Sequence, residues 1–219
     1  MSDERDAQTN VVEARRIDCE MAASDMDNPL WTAARPVLIT KYWSGEAAPA
    51  ERHAEARLLW SDEALYVRFD CPQTEALIVS DEPQRERKTT GLWDRDVCEI
   101  FLAPDAREPE RYFEFEAAPT GEWLDLAIKW KANGRVTDWE FNSGMTAAAC
   151  ILKDSITISM RIPWKSLGRT PQAGTRWRAN LFRCVGAGAT RGYLAWQPTH
   201  TKEPSFHVPQ VFGEIIFKG

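Results

Sequence analysis

The sequence predicts an all-β protein, an antiparallel two-sheet β-sandwich of jelly-roll type with one short helical turn. Short segments of alternating apolar and polar residues follow one another along the chain, with turn residues between them. No segment keeps a period of 3.6 residues, and no strand–helix–strand unit occurs. A chain of 219 residues can bury the core of one such sandwich, so we expect a single domain over residues 1–219.

The N-terminal part of the chain contains the first clear strands. Residues 1–35 are polar and weakly patterned, and we expect them to be partly irregular or to add an edge strand. A strand-like pattern begins at residues 36–43. Residues 56–60 and 65–71 then form a hairpin around the turn residues 61–63, because polar and apolar side chains alternate through its second strand.

The remaining strands follow at short intervals. We expect them at residues 96–102, 111–117, 123–130, 146–152, 155–162, 177–185, 193–196 and 213–217. The helical turn lies between Pro163 and Gly168, since proline favours a helix start and glycine a helix end.

Charge and composition exclude several classes of partner and chemistry. A net charge of −6 argues against nucleic acid, because phosphate binding needs a concentrated basic face. The polar start of the chain has no signal peptide or membrane span, which makes a cytoplasmic location the default for the chain as written. No nucleophile, phosphate-loop or dinucleotide motif occurs, and the five cysteines lack zinc-site spacing. We therefore assign no catalytic residue, cofactor or metal ligand.

Aromatic residues in two polar loops are candidates for ligand contact. Trp93 lies among polar neighbours, where its ring can lie against the C–H face of a sugar or fold back over the sandwich rim. Phe206 and His207 lie in a loop before the last strand, where they can form a second wall facing Trp93. The default interpretation of His207 is a surface histidine that hydrogen-bonds its loop.

Three glutamates lie in neighbouring strands. Glu99 shares a face with apolar residues, so it must bind sugar hydroxyls or pair with Arg178 or Arg183. Glu114 and Glu116 share a face of the next strand, which allows a glycosidase pair, but alternating Phe and Glu is also the pattern of an ordinary half-buried strand, and we favour this second interpretation.

Several linked motifs over residues 36–218 resemble the family 9 carbohydrate-binding modules. These motifs are Trp93-x-x-Asp96-x-x-Glu99-Ile-Phe, Tyr112-Phe-Glu-Phe-Glu116, Ile162-Pro-Trp164-x-x-Leu-Gly168, Trp177-Arg-Ala-Asn180, Ala195-Trp-x-Pro-Thr199 and Ser205-Phe-His-x-Pro-x-x-Phe-Gly213. The resemblance implies a sandwich that grips a sugar end between two aromatic walls. Such modules occur attached to xylanases or alone, and they are often exported.

By position, the resemblance implies that Trp93 is one aromatic wall, Glu99 a hydrogen-bonding carboxylate and Phe206 the second wall. Glu114 and Phe182 stand where the modules carry an arginine and a glutamine, so two polar contacts differ. Some such modules also hold structural calcium, but no Asp/Asn loop spacing identifies such a site here. The candidate carbohydrate-binding residues are Trp93, Glu99, Glu114, Arg183, Phe206 and His207.

Three functions remain open from the sequence. Non-catalytic carbohydrate binding stands first, a structural or interaction domain that has lost sugar binding second, and a carboxylate-dependent hydrolase or lyase third. The sequence names neither the sugar nor the oligomeric state.

Overall fold

The computed structural model describes residues 10–219 and confirms an all-β protein. Within this range there are fourteen strands: β1 Val11–Arg16, β2 Val37–Ile39, β3 Lys41–Tyr42, β4 Ala54–Trp60, β5 Ala64–Pro72, β6 Val97–Ala103, β7 Arg111–Ala117, β8 Trp123–Lys131, β9 Gly134–Asp138, β10 Thr146–Ile151, β11 Ser155–Pro163, β12 Arg176–Val185, β13 Gly192–Ala195 and β14 Gly213–Lys218. No helix of this part of the chain is long and apolar enough to cross a membrane.

The helices are all short 3-10 turns. The expected turn is present at Trp164–Leu167, and Gly168 ends it in the left-handed conformation with φ 69°. Five others were not predicted, and they lie at Pro29–Ala33, Ala50–Arg52, Leu92–Asp94, Gly188–Thr190 and Pro209–Val211. Each has at most five residues, too few to show a helical period in the sequence.

The strands form one hydrogen-bonded ladder that curls into the two layers of a sandwich. Its order is β10-β11-β5-β4-β1-β14-β12-β6-β7-β8-β9, with β13 on β12 and β2 on β4. The main core lies between the two halves of the ladder and includes Phe69, Ile100, Phe115 and Trp164. Burial of these apolar side chains is the main stabilising term of the fold.

Strand β1 differs from the expected edge strand and from a purely antiparallel sheet. It lies inside the ladder, where it pairs in parallel with both β14 and β4. Val12 and Ala14 point into the core, which explains why this polar stretch is an interior strand. The sheet is therefore mixed, and β1 connects its two halves.

A second apolar cluster lies on the opposite face of the β6-β7-β8-β12 layer. Alternation along each strand divides its residues between the two clusters: in β6, Ile100 enters the main core, whereas Phe101 enters the second cluster. Loops around residues 92–93 and 206–212 cover this face. The loops cover the face only in part, and a pocket lies between them and the sheet.

Candidate functional site

The pocket has a volume of about 390 Å³, and five of the six candidate residues line it. Glu99 on β6 and Glu114 on β7 contribute from the sheet, and the loops contribute Trp93, Phe206 and His207. This volume lies within the usual range for small-ligand sites. Sugar binding by these residues stays a prediction.

Trp93 lies in the short helix Leu92–Asp94, at one side of the pocket. Gly91 precedes this helix with φ 80°, a conformation that glycine adopts without strain. Arg191 holds the turn in place by donating hydrogen bonds to the carbonyl oxygens of Trp93 and Arg95 at 2.7 and 2.6 Å. The indole is partly exposed, so it can offer a flat apolar face to a ligand.

Phe206 is more enclosed than an open aromatic wall. It stacks on Phe182 with ring centroids 4.0 Å apart and planes 12° apart, and Tyr193 meets its edge at 6.2 Å. Only 8% of Phe206 is exposed. Phe182 therefore occupies one face of the ring, and a small exposed part of Phe206 remains for the ligand.

The carboxylates of Glu99 and Glu114 belong to the sheet side of the pocket. Burial raises the pKa of Glu99 well above its usual value, and repulsion from Glu114 adds to this effect. The pKa of Glu114 is also raised by burial, although Arg135 acts in the opposite direction. Neither expected ion pair is present, because Arg178 and Arg183 both donate to backbone carbonyls elsewhere.

His207 contacts the sheet instead of its own loop, so the default interpretation of this residue is wrong. Its Nδ1 lies 3.0 Å from the hydroxyl of Tyr112, and its Nε2 lies 3.9 Å from Oε2 of Glu114. Burial, assisted by Arg135, lowers the pKa of His207 to about 3, which keeps the ring neutral near pH 7.

Arg183 does not reach the pocket, which corrects its inclusion among the candidates. It is 1% exposed and lies on the core-facing side of β12, next to Phe182 and Cys184, which face the pocket layer. Its guanidinium donates to the carbonyl oxygens of Arg52, His53 and Pro72 and to Oε1 of Gln73. Arg183 therefore joins loops of the scaffold.

The aromatic partner of Trp93 was not predicted from the sequence. Trp139 lines the same pocket, with its ring centroid 6.1 Å from that of Trp93 and the planes 50° apart. It follows β9, which also places Arg135 and Thr137 in the pocket. The Asn133-Gly134 pair is a hairpin signal that would have indicated this strand.

Two curated proteins resemble this chain in sequence. One is an "Extracellular protein" of Arthroderma benhamiae, 25% identical over 74% of this chain and 77% of that protein. The other is an endo-1,4-beta-xylanase A of Thermotoga neapolitana, 21% identical over 74% of this chain. The match covers only 14% of the xylanase, so the likeness concerns a small part of that enzyme.

Two solved structures share the fold. A putative carbohydrate-binding protein from Bacteroides uniformis aligns with a TM-score of 0.73 at 17% identity, over 95% of this chain and 99% of that one. A family 9 carbohydrate binding module from Caldicellulosiruptor kristjanssonii, in complex with cellotriose, aligns with a TM-score of 0.64 at 17% identity, over 95% and 94% of the two chains.

The family comparison covers nearly all of the chain that the structure describes. Residues 24–219 match the model of the carbohydrate family 9 binding domain-like proteins. This range contains the strands of the pocket and both loops that cover it. The chain therefore belongs to the carbohydrate family 9 binding domain-like family.

Proposed function

We propose that this protein binds the end of a mono- or oligosaccharide in the pocket between Trp93 and Phe206, without transforming it. The observation that carries the proposal is the convergence of partly exposed rings and sheet carboxylates on one cavity. Sugar rings have apolar C–H faces and polar edges, so they match a site that offers both kinds of contact.

The aromatic side chains of the pocket offer unequal areas of apolar contact to a ligand. Trp93 and Trp139 form an adjacent pair on one side, and Trp139 is 45% exposed. Phe206 offers less area because Phe182 covers one of its faces. We therefore expect the two tryptophans to provide most of the apolar contact, and Phe206 to limit the depth of entry.

Polar groups on the sheet side would fix the orientation of the sugar. Glu99 and Glu114 are acceptors for hydroxyl groups, and Arg135 and Thr137 supply donors from β9. A family relative in complex with cellotriose makes short β-1,4-linked glucans the first ligands to test. One relative is named an extracellular protein, so we also propose that this protein acts outside the cell.

A hydrolytic role is less well supported by the arrangement of the carboxylates. One carboxylate oxygen from each of Glu99, Glu114 and Glu116 lies within 4.8 Å of the others, and the three residues share a face of two adjacent strands. Glycosidases place two carboxyl groups on either side of the scissile bond, about 5–5.5 Å or 6.5–9.5 Å apart. A single cluster on one side of the ligand favours binding over bond cleavage.

The test is calorimetric titration of the protein with cellotriose. We expect Trp93→Ala and Trp139→Ala each to raise the Kd at least about tenfold, since a buried aromatic contact is worth more than about 1.4 kcal/mol. Trp123→Ala is the matched control, because it removes a partly exposed indole that does not line the pocket. Far-UV circular dichroism verifies that each variant is folded.

Two results would contradict the proposal. The first is cellotriose affinity that is the same in Trp93→Ala, Trp139→Ala and the wild type. The second is release of shorter sugars from cellotriose on long incubation, provided that Glu99→Gln abolishes the release, because this outcome would establish an enzyme.

A further inference from the structure

The three buried glutamates form a cluster behind the sheet side of the pocket. Glu99 on β6 is the direct cross-strand partner of Glu116 on β7, and Glu114 lies two residues earlier on the same face of β7. Their exposed fractions are 2%, 0% and 3%, respectively. Glu99 and Glu114 line the pocket, whereas Glu116 is fully enclosed behind them.

The protein leaves most of this cluster without hydrogen bonds. Oε2 of Glu114 and both carboxyl oxygens of Glu116 have no hydrogen-bond partner within the described part of the chain. Glu99 accepts a hydrogen bond from the thiol of Cys184, whose Sγ lies 3.5 Å from Oε1 of Glu99. Burying unsatisfied carboxylates is costly, and it normally requires a counter-charge or a bound proton.

Nearby basic groups do not supply that counter-charge. Arg135 and Arg191 are close enough to affect Glu114 and Glu99, but neither forms an ion pair with the cluster. His207 approaches Glu114 only to 3.9 Å, too far for a hydrogen bond.

We propose that Glu99, Glu114 and Glu116 bind a divalent cation, and that the ion is Ca²⁺. One oxygen from each residue lies within 4.8 Å of the others, and a single ion with Ca–O bonds of about 2.3–2.6 Å spans that separation. All three ligands are hard carboxylate oxygens, which select Ca²⁺ over softer transition metals. The ion then supplies the enclosed Glu116 with a counter-charge.

The cation would also take part in ligand binding, an extension that depends on the proposed function. Ca²⁺ takes about six to eight oxygen ligands, so three carboxylates leave positions unfilled. Because Glu99 and Glu114 line the pocket, those positions are directed to the same space as the sugar. Neighbouring hydroxyl groups of a sugar ring are oxygen ligands that can complete the coordination shell.

Calorimetry with CaCl2 on protein freed of metal by EDTA and dialysis tests the site. We expect the wild type to bind one Ca²⁺ per chain and Glu116→Gln to bind it at least about tenfold more weakly, because the amide keeps the shape and removes the charge. Mg²⁺ should bind less well than Ca²⁺, since it requires shorter bonds of about 2.0–2.1 Å.

Glu122→Gln is the matched control for this experiment. Glu122 is also buried, but it pairs with Arg95 at 3.2 Å and does not line the pocket. This variant should bind Ca²⁺ like the wild type. If Glu116→Gln does not fold, Glu99→Gln replaces it. Absence of Ca²⁺ binding by the wild type, or equal affinity in the wild type and the cluster variant, overturns the site.

Cellotriose titrations with Ca²⁺ and with EDTA separate the cation from the sugar. Tighter binding of cellotriose in Ca²⁺, lost in Glu116→Gln, supports coordination of the ligand by the ion. Equal affinity in both buffers overturns that coordination but leaves a demonstrated Ca²⁺ site standing. Ca²⁺ binding without cellotriose binding in either buffer contradicts the proposed function and supports the cation site alone.

Discussion

Replacing Arg183 with lysine is expected to destabilise the fold without weakening the pocket. The guanidinium donates four hydrogen bonds from two nitrogens: Nη1 to the carbonyl oxygens of Arg52 and His53 at 3.0 and 2.5 Å, and Nη2 to those of Pro72 and the Gln73 side chain, both at 2.7 Å. A lysine ammonium is a single point of charge, so it can serve the acceptors at only one of these two positions.

At least two buried acceptors therefore lose their donor in Arg183→Lys. A hydrogen bond to a charged group contributes about 1.5–3 kcal/mol, so we expect the free energy of unfolding to fall by about 3 kcal/mol or more. For a domain of this size that loss corresponds to a melting temperature lower by about 6–12 °C. Urea unfolding followed by tryptophan fluorescence measures the change.

Arg176→Lys is the control on the same strand. Arg176 is exposed and pairs with Glu214 at the surface, so its replacement should change stability by less than about 1 kcal/mol. A similarly small effect of Arg183→Lys would refute the argument that its four bonds hold the scaffold. A tenfold loss of cellotriose affinity in folded Arg183→Lys would instead show that Arg183 contributes to sugar binding.

Two further predictions concern pH and packing. His207 stays neutral in the folded protein because burial and Arg135 lower its pKa to about 3. In the unfolded chain its pKa is about 6.5, so below that pH the unfolded state takes up a proton that the folded state does not. The free energy of unfolding therefore falls by up to about 1.4 kcal/mol per pH unit as the pH decreases below about 6.5. His207→Gln should lose this part of the pH dependence in urea unfolding, and an unchanged difference between pH 7 and pH 5 would contradict the assignment. Gly213→Ala should destabilise the protein by about 1–3 kcal/mol, because its new Cβ would lie 2.6 Å from Cη2 of Trp196 and 2.7 Å from the carbonyl oxygen of Asn10. A melting temperature equal to that of the wild type would show that Trp196 can move aside.

Sequence patterns predicted most of the strands because each alternates over one buried face. Residues 111–117 match β7 at both ends, and residues 155–162 match β11 to within one residue. The exposed strand β9 has no buried face, so its pattern was weak and Trp139 was missed with it. The parallel pairing of β1 could not be predicted either. The residues of Val11–Arg16 carry no signal that identifies residues 54–60 and 213–218 as the neighbouring strands.

The candidate site was predicted where local patterning decides the geometry. Pleating placed Glu99 and Glu114 on the pocket face, and the two loops placed Trp93 and Phe206 in the same cavity. Arg183 was misassigned because its acceptors come from residues 52–53 and 72–73, more than a hundred positions earlier in the chain. Long-range contacts of this kind leave no signal in the residues around an arginine.

The position of β1 in the ladder determines when this protein can fold. The first described strand lies between β4 and β14, and β14 is the last of the fourteen described strands. Until Gly213–Lys218 has been synthesised, one edge of β1 has no partner and the two halves of the sheet are not joined through it. Closing a loop of nearly the whole chain is slow, because such non-local pairing costs entropy before it gains contacts. The sheet should therefore be complete only once Gly213–Lys218 has left the ribosome, and a chain cut before β14 should expose unpaired strand edges that favour aggregation.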